Sequence, residues 1–310
     1  MDNPGETIYI IGRGAIGKAL AVFLAVNNRK VVLLRGRVDD GLKHTEEFQV
    51  TLNNSVELTA RVEVSTLSAV TEMKGIVVIT NKSFGNADLA RALKTKIADS
   101  PLVILQNGLG VEQPFVDAGY PAVYRCVLFV TSQNLGQSAV RFKPVSACPI
   151  GVVKGDDSQL SYITSRLTTE HFQFRTEINI EYVTWRKAII NCAFNSICPL
   201  LETDNGIFHR DNDALALARQ VVTECSMIAN KKGIGINPDD VMENLLLISR
   251  SSDGQLISTL QDIRAGQRTE IDTLNFAVAR VAEEMGLTAQ VSGTKLLGEL
   301  TRLKARLVTT

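Results

Sequence analysis

Residues 185–200, "WRKAIINCAFNSICPL", set one lysine and two asparagines into a stretch otherwise suited to a protein core. Lys187, Asn191 and Asn195 are spaced i, i+4 and i+8. At about 3.6 residues per turn each step of four drifts only ~40° around a helix, so the three side chains share one stripe. Ile189, Ile190, Ala193, Phe194 and Ile197 cover most of the remaining circumference, which predicts a helix buried nearly all round. An amide or ammonium buried there without a partner costs on the order of several kcal/mol, so the stripe needs protein, water or a ligand to complete it. Of the three, only Lys187 can stabilise negative charge growing on an oxygen and then protonate it. The asparagines could instead cross-link helices, since polar networks also rigidify cores.

A second group able to do chemistry lies in "IYIIGRGAIGKALAVFLAVNNRKVVLLRGR". Gly12, Gly14 and Gly17 have GxGxxG spacing, directly after a strand-like run and at the opening of an apolar-periodic helix. That context makes the motif a dinucleotide signal: Gly12 permits a tight turn, Gly14 lets the backbone approach a pyrophosphate, and Gly17 allows close helix–strand packing. Arg13, Ala15 and Ile16 complete the loop, and the helix N-terminus offers unpaired N–H groups to the anion. An NAD enzyme places Asp or Glu at the end of the second strand, about 20 residues on; here Arg35 stands there, followed by Arg37. A guanidinium suits a 2′-phosphate, so the expected cofactor is NADP(H). A solvated arginine is the plain alternative. Lys82 and Asn107 fall just past two further strands, where open α/β sheets bind ligands, although either could simply form a turn.

These residues need a scaffold. Thr7–Ile11, Lys30–Leu34, Gly75–Thr80, Pro101–Leu105 and Tyr124–Val130 are predicted strands alternating with helical patterns, which implies βαβ units and a parallel sheet. Ser138–Phe142 and Ala147–Val153 are further strands, expected as a hairpin closing that sheet. Gly155–Ser158 then caps a helix running to about Leu167. From about Glu177 helical periodicity takes over, at 180–202, 211–232, 239–250, 253–285 with breaks, and 292–306. The expected fold class is therefore α/β: a Rossmann-type doubly wound domain over 1–176, followed by an all-helical C-terminal domain over 177–310 that carries the substrate and catalytic groups.

Composition narrows the partners. With 310 residues, 45% of them hydrophobic, the chain can bury two cores. Lys+Arg and Asp+Glu both number 33, so no basic field invites nucleic acid. The expected partner is a small molecule. Five cysteines without a CxxC pair argue against a disulfide framework or a zinc site, and no metal is expected. The start of the chain lacks a signal-peptide pattern, and no run approaches the ~18 apolar residues of a membrane span, so a cytoplasmic location is the default. Oligomeric state is not legible; a homodimer is compatible with the sequence.

"GRGAIG", the arginine after strand two, Asn81-Lys82, "QNGLGVEQ", "WRKAIINCAFNSICPL" and "STLQDIRAGQRTEID" together resemble the 2-dehydropantoate 2-reductases, or ketopantoate reductases, over nearly the whole chain. The last two stretches are specific to that family. The resemblance implies NADPH reduction of a 2-oxo acid, with cofactor and substrate meeting between a Rossmann domain and a helical domain. It implies that Lys187 is the catalytic lysine and Glu270 an active-site glutamate. It further implies that Asn191, Asn195 and Ser258 bind substrate, with Asn107 lying between cofactor and substrate; Asn107 and Glu270 then count among the cofactor contacts too. Residue chemistry agrees, because hydride addition to a ketone builds the negative charge that an ammonium stabilises. On statistics Glu270 would be a solvated carboxylate, but a buried Lys187 needs an anion nearby. Ser258 could also cap its own helix.

The chain departs from the family at Ser132-Gln133-Asn134, where many members carry a histidine, at Phe276 in place of a glycine, and at Gln290-Val291-Ser292 in place of a Pro-Val-Asn stretch. No catalytic group is lost. The first expectation is ketopantoate as substrate, making pantoate for coenzyme A. The alternatives are a paralogue acting on another small 2-oxo acid, and a non-catalytic NADP-binding sensor.

Overall fold

Near-continuous burial along the central strands, whose successive side chains face opposite sides, explains why one sheet carries two apolar layers. The computed structural model describes residues 6–36, 38–53 and 55–308; Arg37 lies outside them. It divides into two compact units, one comprising residues 1–106 and 111–180, the other 107–110 and 181–310.

In the first unit the order is β1 (Thr7–Ile11), α1 (Ala15–Val26), β2 (Val31–Leu34), β3 (His44–Leu52), β4 (Glu57–Ser65), β5 (Gly75–Ile79), α2 (Asn86–Leu93) and β6 (Leu102–Ile104). Then follow α3 (Gln113–Asp117), β7 (Val123–Cys126), β8 (Val130–Asn134), β9 (Ala139–Pro144), β10 (Cys148–Lys154), α4 (Leu160–Leu167) and β11 (Phe174–Thr176). One sheet results, in the order β11-β10-β7-β6-β5-β1-β2-β4-β3-β9-β8. Its centre, β7 through β4, is parallel throughout. Ile76 and Val78 of β5 face one core with Ile8, Ile10 and α1; Val77 and Ile79 face the other with Ile11 and residues of α2. A sheet covered on both faces needs such continuous apolar strands. Because β1 pairs with both β2 and β5, the connections diverge there, and the strand ends beside β1 form the switch point where open α/β sheets take ligands.

The outer strands differ from expectation. β3 and β4 form a long antiparallel pair that the strand reading omits. β9 and β10 are both strands but not a hairpin: β9 pairs with β3 and β8, whereas β10 pairs with β7 and β11, at opposite ends of the sheet. The predicted strand 124–130 ends at Cys126, and Val130 begins β8. The helix after Gly155 is preceded by a 3-10 turn, capped by the Asp156 carboxylate accepting from Ser158 N at 2.8 Å.

The second unit holds α5 (Ile180–Leu201), α6 (Ile207–Arg210), α7 (Asn212–Lys231), α8 (Pro238–Ser251), α9 (Ser258–Arg264), α10 (Asn275–Glu284) and α11 (Ser292–Val308). Asp211 caps α7 through Asp213 N and Ala214 N, and Asn237 caps α8 ahead of Pro238, as short polar side chains do at helix starts. α5 is the axis of the core: Trp185, Ile189, Ile190, Ala193, Phe194 and Ile197 are all buried, and Phe194 meets Phe208 edge-on at 4.8 Å. All five cysteines are buried and outside any disulfide. Burial pushes the Cys198 thiol up to about 12, which makes it an inert core group.

Candidate functional site

The glycine loop between β1 and α1 is shaped by three different constraints. Gly12 has φ +123°, and a Cβ there would lie 2.4 Å from Asn81 N. At Gly17 a Cβ would lie 1.9 Å from the Gly12 carbonyl oxygen, so this glycine lets α1 close on the loop. A Cβ on Gly14 would meet nothing within 4 Å, which leaves that backbone open to an approaching group. Thr80 Oγ1, just after β5, donates to the Gly12 carbonyl at 3.0 Å and fixes the turn. Gly14 is the N-cap of α1 and makes no side-chain cap, so the helix presents its first N–H groups outward. Ala15 and Ile16 pack partly on the core beneath α1, so what they can offer an anion is backbone.

Around this loop, the buried atoms Arg13 Nε, Arg35 Nε, Asn81 Oδ1 and Ser83 Oγ have no hydrogen-bond partner among the described residues. Such atoms are costly unless something else satisfies them. Together with the open Gly14 backbone they fit the phosphates and sugars of a dinucleotide. Lys82, half-buried, is the residue before the 3-10 turn Ser83–Gly85. Asn81 is held in place by Gln106 Nε2 donating to its carbonyl at 2.8 Å.

Two arginines find partners that the sequence reading did not anticipate. Arg13 pairs with Glu46 of β3 and lies over the Phe48 ring, 5.4 Å from its centroid. Glu46 also accepts from Ser138 Oγ at 2.7 Å. Nearby, Lys18 of α1 is 4% exposed and donates to Asn134 Oδ1 at 3.0 Å; burial pushes its pKa down. Arg35 is doubly bonded to Asp40, at 3.0 and 2.5 Å, and its guanidinium holds that carboxyl below the usual carboxylate range. Glu46 is 33 residues from Arg13, so no sequence spacing could pair them. Asp40 was within reach as an acid five residues after Arg35.

In the second unit, Asn107 bridges two of the groups expected to act together. Lys187 Nζ donates to Asn107 Oδ1 at 3.0 Å, and Asn107 Nδ2 donates to Glu270 Oε2 at 3.5 Å. All three are half-buried. The loop carrying Asn107 is locked by Leu109 N donating to the Thr273 carbonyl at 2.8 Å, and Gly108, at φ +98°, leaves no room for a side chain beside Thr273. Glu270 precedes a 3-10 turn, Ile271–Thr273, and its backbone carbonyl accepts from Thr273 Oγ1 at 3.0 Å.

The rest of the stripe is used differently. Asn191 is half-buried, whereas Asn195 is 4% exposed. Asn195 Nδ2 donates to the Asn191 carbonyl at 3.0 Å, and Asn195 Oδ1 accepts from Thr259 Oγ1 at 2.7 Å and from Ser258 Oγ at 3.5 Å. Asn195 thus ties α5 to α9. Thr259, buried beside the exposed Ser258, was missed because a threonine inside a short amphipathic stretch carries no signal of its partner. Ser258 is the first residue of α9, and Ile257 is the N-cap, so the serine does not cap its own helix. Asn195→Ala is expected to lower stability by about 1–3 kcal/mol, because it strands the Thr259 hydroxyl in the core. Denaturant unfolding measures it, and an unchanged midpoint would show that Thr259 has another partner.

Among the described residues there is no group of acids, histidines and cysteines fit to hold a metal, and no helix long and apolar enough to cross a membrane. The family model "Ketopantoate reductase PanE/ApbA" matches residues 8–155, and "Ketopantoate reductase PanE/ApbA C terminal" matches 179–302. The 2-dehydropantoate 2-reductase of Pyrococcus horikoshii is 30% identical over 92% of this chain and 93% of its own. That of Pyrococcus abyssi is 27% identical over 92% and 94%. The crystal structure of a PanE/ApbA family ketopantoate reductase from Ralstonia eutropha superposes with TM-score 0.84 at 24% identity, covering 98% of this chain and all of that one. D-mandelate dehydrogenase, solved with NADH and anilino(oxo)acetate, shares the fold at TM-score 0.83 and 20% identity over 98% and 100% of the two chains. With both family models matched in order and a relative aligned along almost its full length, the chain belongs to the ketopantoate reductase family of oxidoreductases.

Proposed function

We propose that this chain is an NADPH-dependent reductase of a 2-oxo acid, with 2-dehydropantoate as substrate and pantoate as product. Residues 1–176 take the role of NADP(H)-binding domain and 177–310 that of the helical substrate domain. The observation that carries the reading is the chain Lys187–Asn107–Glu270, which places an ammonium, an amide and a carboxylate in one hydrogen-bonded line.

The cofactor's reduced nicotinamide supplies a hydride when bound. What the chain's own groups contribute can be derived from their chemistry. Gly12, Gly14, Gly17 and the N-terminus of α1 hold the pyrophosphate, with Arg13, Ala15 and Ile16 supplying the rest of the loop, and Lys82 and Arg35 flank it with positive charge. Lys187 stabilises the substrate oxygen as it becomes an alkoxide and gives it a proton. Asn107 orients the ammonium, and Glu270 lies at the far end of that line, where it can hold charge balance or a substrate hydroxyl. The exposed Ser258 hydroxyl suits a substrate carboxylate, and Asn191 a substrate oxygen. Asn195 supports the floor of that site through α9.

Arg35 supports NADPH over NADH. Arg35→Ala is expected to weaken NADPH binding by about 1.5–3 kcal/mol, the contribution of a charge-assisted contact, and to leave NADH nearly unaffected. Titration of both cofactors against both proteins measures this; equal NADPH and NADH affinities in the unmutated chain would sink it.

A second reading is reduction of another small 2-oxo acid. It is favoured by the departure at Ser132-Gln133-Asn134 and by the 2-oxo compound bound in the D-mandelate dehydrogenase structure. Steady-state rates with ketopantoate, straight-chain and aryl 2-oxo acids separate the two readings. A cofactor-binding sensor would bind NADPH and turn over none of them.

A further inference from the structure

We infer that Asp40 is a specificity-determining residue for the cofactor: an internal anion that occupies the Arg35 guanidinium and competes there with the 2′-phosphate of NADPH. The inference rests on the nicotinamide-cofactor reading above and deepens it.

The geometry is built rather than incidental. Asp40 takes both ends of the guanidinium fork, Oδ2 from Nη1 at 3.0 Å and Oδ1 from Nη2 at 2.5 Å. Arg35 Nη2 also donates to the Leu42 carbonyl at 3.2 Å, and Leu42 N donates back to Asp40 Oδ1 at 3.0 Å, so the turn is closed on the arginine. Next door, Asp39 Oδ1 accepts from Ser68 N at 2.8 Å and Ser68 Oγ at 2.6 Å, which pins the loop to the segment after β4. The Arg35 side chain is 15% exposed and that of Asp40 36%, so the acid is the outer member of the pair. Among the described residues, the buried Arg35 Nε finds no hydrogen-bond partner.

A bidentate carboxylate and a bidentate phosphate ask for the same donors. To be held by Arg35, a 2′-phosphate must displace or share with Asp40, and the displaced carboxylate stays attached to a pinned loop within repulsive range. The 2′-hydroxyl of NADH has no such conflict. It can donate to Asp40, as ribose hydroxyls do to the acids of NAD-binding folds. Asp40 therefore narrows a preference that Arg35 alone would make wide.

The test is direct binding of NADPH and NADH to the full chain, by calorimetry, in the unmutated protein, Asp40→Asn, Arg35→Ala and the double variant. Asparagine keeps a carbonyl oxygen for Leu42 N, so the turn survives while the charge goes. Asp40→Asn is expected to tighten NADPH about five- to twentyfold, the effect of removing a competing partly exposed ion pair and its charge. NADH should be unchanged or slightly weaker. With Arg35 already alanine, the same change should move the NADPH to NADH ratio by less than it does in the unmutated protein, because only the repulsion by the carboxylate is then relieved and no guanidinium is freed. If both cofactors bind and Asp40→Asn leaves the ratio unchanged, Asp40 only orders its loop and the inference is wrong. If neither dinucleotide binds the unmutated chain, the cofactor reading itself falls, and this inference with it.

Discussion

Replacing Lys187 with alanine is expected to cut kcat by about 10²–10⁴, the usual contribution of a positioned general acid, while NADPH affinity stays within about threefold. The two halves of that expectation have separate causes. The proposed proton donor is an ammonium that Asn107 holds at 3.0 Å, and alanine leaves nothing in its place. The proposed cofactor loop is the one after β1, whose hydrogen bonds and close contacts, to Thr80 and Asn81, lie within the first unit. Steady-state rates with a parallel cofactor titration measure both. Near-normal kcat would make the lysine structural, as would loss of NADPH binding.

Gly12→Ala should do the reverse, weakening dinucleotide binding by about 100-fold and leaving the helical unit folded. A residue with a side chain is strained at φ +123°, at a cost of about 1–3 kcal/mol. The added Cβ would also stand 2.4 Å from Asn81 N and 2.7 Å from Thr80 Oγ1. Because the closest obstacle is backbone, the loop must shift, and with it the N–H groups proposed to hold the phosphates. A loss of about 2.7 kcal/mol corresponds to that 100-fold change. Circular dichroism would check that helix content is kept, and an unaltered Kd would mean that the loop does not carry the cofactor.

Local signals were the legible ones. The run β1–glycines–α1 announces itself because turn, strand and helix patterns fall within twenty-odd residues, and the buried face of α5 is written in its 3.6-residue period. The pair β3–β4 escaped that reading, although Phe48, Val50 and Leu52 alternate with exposed or half-buried residues in the way of a strand with one buried face. Its many charged residues, among them Glu46, Glu47, Glu57 and Glu63, hide that period from a search for apolar runs. Pairings across long separations were not legible. Lys187 and Asn107 are 80 residues apart, and Asn107 and Glu270 163, so only tertiary packing joins them. The separate sheet positions of β9 and β10 have the same origin: adjacency in sequence favours a hairpin, but each strand finds its partners elsewhere in the sheet. Family resemblance nominated the site residues ahead of the structure. It could not show that the Asn195 carboxamide is committed to Thr259, nor that Arg35 has an acid on its guanidinium.

Reduction of a 2-oxo acid at the Lys187 site is tested by ketopantoate-dependent oxidation of NADPH, followed by nicotinamide absorbance with pantoate identified as product. The expected kcat/KM is about 10⁴ M⁻¹s⁻¹ or more, above that for other 2-oxo acids, with kcat cut by about 10²–10⁴ in Lys187→Ala. Tight NADPH binding with no oxidation by any 2-oxo acid would contradict it.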